Sequence, residues 1–542
     1  MNMLFYMKRK YYLLLTLLPA VLSAQTSDKD SLLNRTVVVE QEYNPEIMDA
    51  SKINNLPEVE VPSVPKQAIE YSLQTHPISS FHVYQPLTTF TLKEPPKNYY
   101  PGYIRLGYGN RNNLDGAIGY AFQLSSKDEL TISGAIRGMK GKIKFPHIGK
   151  QKQHDYRSQA RIDYRHLFPQ TEMRLYGNWQ LHNLSLHPQF ILNNQRFTAG
   201  NAHWSLTSSD PTSPIQFIAE ADWKMHQRAH NWTNWVNEES KATEHQIQIH
   251  ALMSGVINDF QHIGLDLKMH QFIYTTDFSS NYTALHLNPF YEIENNGWKL
   301  HAGIHVDPSF GLGKKLQLSP DIELNFSFAN HYQLYVKAKG GRKFNDFNHL
   351  AAFCPYANLS NQLKNTYEPI NASIGFKASP YDGLHLHLFG GYQNLKDDLY
   401  TYWKEGNSEI AFKQAHSENF YGGLNIRYGY KDIFIWNFQG SYLHWDACSD
   451  ALFFKPQIHL STTADLHFVK PLYLHIGYDY QKPQSESPYT IVHNLTAGVS
   501  YNLVKGLSAY INMNNLLNKR YTLHWNYPNQ GLQIIGGLSY KF

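Results

Sequence analysis

From Tyr99 onward, apolar and polar side chains alternate with a period of two along much of the chain. Leu130, Ile132, Gly134 and Ile136 interleave with Glu129, Thr131, Ser133 and Arg137. Met173, Leu175, Gly177, Trp179 and Leu181 interleave with Arg174, Tyr176, Asn178, Gln180 and His182. The rhythm returns in Leu472, Leu474, Ile476, Tyr478 and Tyr480, and again in Leu507, Ala509, Ile511 and Met513. Successive side chains on a strand point to opposite faces, so the pattern predicts strands with one apolar and one polar face. Strands of soluble sandwiches average about 5–6 residues, whereas many segments here reach ten or more. A tilted strand needs roughly 9–11 residues to cross a bilayer. Aromatics near strand ends, such as Tyr99, Tyr100, Tyr478 and Tyr480, suit the girdles at the two membrane surfaces.

Short turns separate these segments near Ser125–Asp128, Phe168–Gln170, Ser208–Pro214, Asn258–Asp259 and Asn295–Gly297. Others follow near Ala329–Asn330, Ser379–Gly383, Lys431–Asp432, Val469–Pro471 and Lys505–Gly506. Between them lie longer, more polar connections near 139–152, 183–195, 229–243, 344–363, 397–417 and 517–530. Shorter ones fit near 109–113, 276–281, 309–315, 447–451 and 482–488. Ten turns on one side and eleven connections on the other predict 22 strands. An even count returns both ends of the barrel to the periplasmic side. The predicted fold is therefore all-β: a large transmembrane antiparallel β-barrel over residues 99–542.

Composition decides against the default for 542 residues, which is several soluble domains. Aromatics make up 14% and charged residues only 17%, with 38 Tyr and 29 Phe. Mean hydropathy is nevertheless −0.47, too polar for a bundle of membrane helices. A barrel reconciles the two, because lipid-facing apolar residues alternate with polar lumen residues. The net charge of +4 gives no reason to expect nucleic acid as a partner.

The beginning of the chain predicts export. Lys8, Arg9 and Lys10 precede an apolar run from Tyr11 to Leu22, then Ser23-Ala24-Gln25. This reads as a signal peptide over 1–24 cut after Ala24, since the run is shorter than the roughly 20 apolar residues of a membrane helix. An exported chain with this strand pattern belongs in the outer membrane, in contact with its lipid. In that oxidising compartment Cys354 and Cys448 could pair or remain two separate thiols.

Residues 25–98 have a different texture. They hold eight prolines, no glycine, and six Lys or Arg against ten Asp or Glu. Pro45, Pro57, Pro62, Pro65, Pro77, Pro86, Pro95 and Pro96 exclude long helices and central strands. The expectation is a short extended arm, periplasmic or filling the lumen.

The final strand sets Leu532, Ile534, Gly536, Leu538, Tyr540 and Phe542 on one face. Gly537, Tyr540 and Phe542 resemble the signal read by the barrel-assembly machinery, with Ile535 where that signal prefers a polar residue. Upstream, Asn515, Leu516, Asn518 and Tyr521, followed by Tyr527 and Gly531, resemble the NLxNxxY strand end and YPxxG loop of TonB-dependent receptors. Leu532 stands where that family often has Arg. The motifs cover about the last 33 residues, and the 22 predicted strands extend the likeness to the barrel. The resemblance implies uptake or permeation of a solute across the outer membrane. It also implies a globular plug, for which residues 25–98 are too short and lack glycine. Thr36, Val37, Val38, Val39 and Glu40 resemble a TonB box, which would add as a strand to the periplasmic protein TonB. The same five residues also suit an ordinary β-prone stretch of the arm.

Catalytic motifs do not emerge: there is no GxSxG, HExxH or Walker loop, and no cofactor is implied. His385 and His387 are expected to face the lumen, as hydrated structural residues or as a pair lacking a third metal ligand. Asp397, Asp398, Glu405 and Glu409 are expected as solvated carboxylates of an outer loop, without EF-hand spacing. Arg137, Arg174 and Asp479 belong to the lumen wall and could line a solute path. Two functions remain open. One is a TonB-dependent-receptor-like transporter, with or without a surface lipoprotein as lid. The other is a non-transporting barrel whose arm docks other envelope proteins.

Overall fold

The computed structural model describes residues 100–542 except 146–147, 189–193, 211–212, 232–239, 259, 330, 360, 405–408 and 486–490. The expected leader 1–24, the arm 25–98 with Thr36–Glu40, and Glu405 lie outside the described residues. The chain forms β1 (Gly102–Gly109), β2 (Leu114–Gln123), β3 (Asp128–Phe145), β4 (Gly149–Leu167), β5 (Thr171–Ser185) and β6 (Asn194–Ser208). Then come β7 (Ile215–Asn231), β8 (Ser240–Asn258), β9 (Gln261–Tyr274), β10 (Tyr282–Asn295), β11 (Trp298–Phe310), β12 (Leu316–Phe328) and β13 (Tyr332–Lys343). Helix α1 (Phe347–Phe353) precedes β14 (Thr366–Tyr381), β15 (Leu384–Lys404), β16 (Glu409–Tyr430) and β17 (Phe434–Ala447). Helix α2 (Ser449–Leu452) precedes β18 (Pro456–Val469), β19 (Leu472–Pro483), β20 (Val492–Val504) and β21 (Leu507–Asn514). A small hairpin, β22 (Thr522–His524) and β23 (Tyr527–Pro528), leads into β24 (Gln533–Lys541).

Apart from that hairpin, all strands join one 22-stranded antiparallel sheet in which each pairs with its neighbours along the chain. β21 pairs with β24, and β24 returns to β1, so the sheet closes on itself and leaves no edge. The predicted count and the alternation of ten inner turns with eleven outer connections agree with this topology. Two of the expected outer loops are different, however. Around 139–152 and 397–417, β3–β4 and β15–β16 continue as paired hairpins beyond the membrane. Water bathes them there, so neither face needs to be apolar and the period-two signal fades while the ladder persists. Asp397 and Asp398 accordingly sit on β15 at a register shift, not in a loop. Asp398 is ion-paired with Lys455 and bonded by the Ser417 hydroxyl, while Glu409 accepts Asn358 Nδ2 at 2.6 Å.

The apolar faces point outward. Ile132, Ile136, Leu175, Ile322, Leu324, Ile374 and Leu388 are exposed where lipid would cover them. Phe168, Phe260, Phe328, Tyr381, Tyr430 and Phe468 are exposed near the inner turns and form one aromatic girdle. On β16, Phe420 lies outward ten residues from Tyr430. At about 3.3 Å per residue and a tilt of about 45°, that separation is roughly 23 Å along the membrane normal. It matches the apolar band of about 25 Å of outer-membrane barrels.

The closing seam explains the glycine of the last strand. Tyr510, Gly537, Gly107 and Asp115 are direct neighbours in register across β21, β24, β1 and β2. The Tyr510 ring lies over both glycines and its hydroxyl donates to Asp115 Oδ2 at 3.3 Å. A Cβ on Gly537 would stand 2.3 Å from the Leu106 carbonyl oxygen and 2.7 Å from the Tyr510 ring. Tyr540 and Phe542 lie on the exposed face of the same strand end.

Candidate functional site: the capped outer mouth

The Asn-rich motif after β21 shapes the loop that reaches over the mouth. Asn515 and Asn518 adopt left-handed backbone angles, φ 51° and 48°, which asparagine tolerates better than most residues. Asn515 exchanges side-chain hydrogen bonds with the Lys519 backbone, at 2.8 and 3.1 Å. The Leu532 N–H donates to Asn518 Oδ1 at 3.0 Å, next to Gly531 at φ 76°. This frame fixes the β22–β23 hairpin and presents Trp525 and Tyr527.

These two aromatics meet α1, which crosses from the β13–β14 connection. Phe347, Leu350, Cys354, Ala357 and Leu359 are buried together with Ala242, Leu399, Ile410, Phe412 and Tyr527. Tyr356 stacks on Tyr527 with ring centroids 3.5 Å apart, and Trp525 stacks on Phe453 at 4.2 Å. The His187 N–H donates to the Tyr527 hydroxyl at 2.7 Å, and Trp525 Nε1 donates to the Thr401 carbonyl at 3.0 Å. Connections distant in sequence are thereby fused into one apolar cap. Burying a side chain the size of Phe347, Leu350 or Ile410 contributes about 1.5–3 kcal/mol. His187 and His524 are pushed down to about 4 by burial, so both pack as neutral rings. Cys354 and Cys448 are both free thiols, the first buried in the cap and the second exposed. Burial pushes the Cys354 thiol up to about 12.

The N-terminus of α1 is anchored to the barrel wall. Asp346 caps the helix by accepting the His349 N–H at 2.7 Å. Glu244, near the outer end of β8, accepts the Phe347 N–H at 3.1 Å. Burial holds the Asp346 carboxyl above its usual range. Beneath this anchor lies a polar cavity of about 220 Å³, with Asn178, Asn201, Lys224, His226, Glu244 and Asp346 in its wall.

The residues expected in the lumen are there, but each is tied to a neighbour. Arg137 joins Arg105 on Asp115, at 3.4 and 3.1 Å. Arg174 and Arg161 each reach Asp163 at 2.6 Å, and His459 reaches Asp479 at 3.1 Å. His387 shares a hydrogen bond of 2.9 Å with Tyr335, whereas His385 bonds Ser379 at 2.8 Å. The two histidines therefore serve different networks, and among the described residues no group of three or more His, Cys, Asp or Glu is placed to hold a metal. The principal omission from the sequence reading is α1 with its anchor Glu244. Asp346 followed by apolar residues at 347, 350, 351 and 353 is a helical start signal. It is only seven residues long and sits in a stretch otherwise read as a polar loop.

No protein-family model and no curated protein sequence matches the chain. Solved structures do match its fold. The FrpB iron transporter from Neisseria meningitidis gives a TM-score of 0.64 at 12% identity, over 82% of this chain and 81% of that one. The siderophore receptor PirA from Acinetobacter baumannii gives 0.63 at 9% identity, over 81% and 80%. A mutant of the ferric enterobactin receptor PfeA from Pseudomonas aeruginosa gives 0.61 at 12% identity, over 81% and 80%. At these identities the likeness is one of fold. The chain shares the fold of these receptors, a closed 22-stranded antiparallel β-barrel.

Proposed function

We propose that this protein admits a small solute across the outer membrane through a barrel whose outer mouth is gated by the α1 cap. The observation that carries the proposal is the cap itself. A receptor-sized barrel has its mouth covered by loops packed around Leu350, Ile410 and Tyr527, and loops can open where a filled wall cannot. The transport roles of the receptors that share the fold point the same way. In this reading the leader is removed after Ala24, and Gly537, Tyr540 and Phe542 are recognised during assembly. The 25–98 arm then blocks the lumen from the periplasmic side, with Thr36–Glu40 offered to TonB.

Planar-bilayer recordings test the proposal. A barrel lacking residues 25–98, with 345–363 replaced by a short Gly-Ser linker, should carry large stable currents. The intact chain should carry little. Absence of current from the doubly shortened barrel would overturn the transport reading and favour a scaffold that docks envelope proteins through its arm.

A further inference from the structure

The cavity beneath α1 has unfilled hydrogen-bonding capacity that the cap does not use. His226 is only 6% exposed, yet neither ring nitrogen has a hydrogen-bond partner. Asn201 Oδ1, in the same wall, is also buried and unpartnered. The charged groups there each have a hydrogen-bond partner in the protein. Lys224 Nζ donates to Gln248 Oε1 at 3.3 Å, Glu244 holds the Phe347 N–H, and Asp346 holds the His349 N–H. The wholly unpartnered groups are neutral: a neutral imidazole offers one donor and one acceptor, and the amide oxygen offers a second acceptor. Amide side chains, Asn178 and Gln180 among them, line much of the rest, beside Ala199, Gly200 and Met225. At about 220 Å³ the cavity is somewhat below the roughly 300–1,000 Å³ of ordinary small-molecule sites.

We propose that this cavity binds a small uncharged polyhydroxyl solute of monosaccharide size, with His226 and Asn201 as its recognition groups. A vicinal pair of hydroxyls donates and accepts at adjacent atoms, which is what the imidazole and the amide oxygen leave unmet. The two groups left wholly unpartnered carry no charge, which favours a neutral solute over an ion. The assignment rests on the uptake reading, as it names the class of solute that passes the cap.

Isothermal titration of the full-length protein in detergent, with glucose, glycine and acetate as probes, tests the inference. Saturable glucose binding is expected, with neither glycine nor acetate competing. His226→Phe, which keeps a ring against Phe197, should weaken glucose binding about tenfold or more, the worth of one or two buried hydrogen bonds. Asn201→Leu provides the same test should the first variant fail to fold. No glucose binding, preferential binding of glycine or acetate, or unchanged glucose binding in the variants would each overturn the proposal. Currents from the doubly shortened barrel without glucose binding would sink this assignment alone. Glucose binding without currents would sink only the transport reading.

Discussion

Glu244 on β8 accepts the backbone N–H of Phe347 at 3.1 Å, and this contact ties the first turn of α1 to the barrel wall. Replacing Glu244 with Ala leaves a buried N–H without its acceptor, at a cost of about 1–3 kcal/mol. Amide hydrogen exchange across 347–353 should therefore accelerate about five- to hundredfold, while the membrane strands keep their protection. Glu244→Gln retains an acceptor oxygen and should restore most of the protection.

The two thiols report on the cap independently. Cys448 is exposed and should react promptly with a maleimide, whereas Cys354 is fully buried with its thiol pushed up to about 12. Mass spectrometry of the folded protein should find a single label, on Cys448. Leu350→Asp buries a charge in the cap and should expose Cys354 to labelling without unfolding the barrel.

The anchor should respond to pH. Burial raises the Asp346 carboxyl, while the amides it caps and the charges of His349 and Lys224 oppose that shift. Glu244 faces it from β8. The docked cap holds the Asp346 proton more firmly than the undocked segment does. Docking is thus strongest below the ordinary carboxylate value of about 4 and weakens as pH rises through the raised value. Cap-amide exchange, corrected for its intrinsic pH dependence, should follow this trend. Asp346→Asn still caps the helix and should reduce the trend, leaving the part due to Glu244, whose carboxyl burial also raises.

Adjacent glycines of the last strand separate seam packing from mere strand propensity. Gly537→Val drives a side chain into the Leu106 carbonyl and the Tyr510 ring, while at Gly536 the nearest atom lies 3.8 Å away. On heat-modifiable gel mobility, Gly537→Val should yield little folded barrel and Gly536→Val nearly the normal amount. Equal yields would show that the seam does not depend on the closeness of Tyr510.

The barrel was legible because lipid enforces alternation. Leu175, Ile374 and Leu388 must face hydrocarbon while their neighbours face a polar lumen, and each turn breaks the rhythm. Above the membrane that constraint lapses, which is why the β15–β16 hairpin around Asp397 looked like a loop. The cap was harder still to read. Leu350, Ile410 and Tyr527 come from connections far apart in sequence, and only the closed barrel brings them together. The Asn515 and Asn518 motif is visible as a family resemblance, but its work in holding Trp525 over the mouth emerges only in the folded chain.

Gating by the cap can be tested by locking it. Asn358 and Ala411 form an isolated β-bridge between the α1 connection and β16. A barrel without residues 25–98 would carry Asn358→Cys and Ala411→Cys, with Cys354→Ala and Cys448→Ser to remove the native thiols. The account predicts no current while the new disulfide is oxidised and intermittent currents once it is reduced. Equal currents in the two states would contradict a gate at the outer mouth.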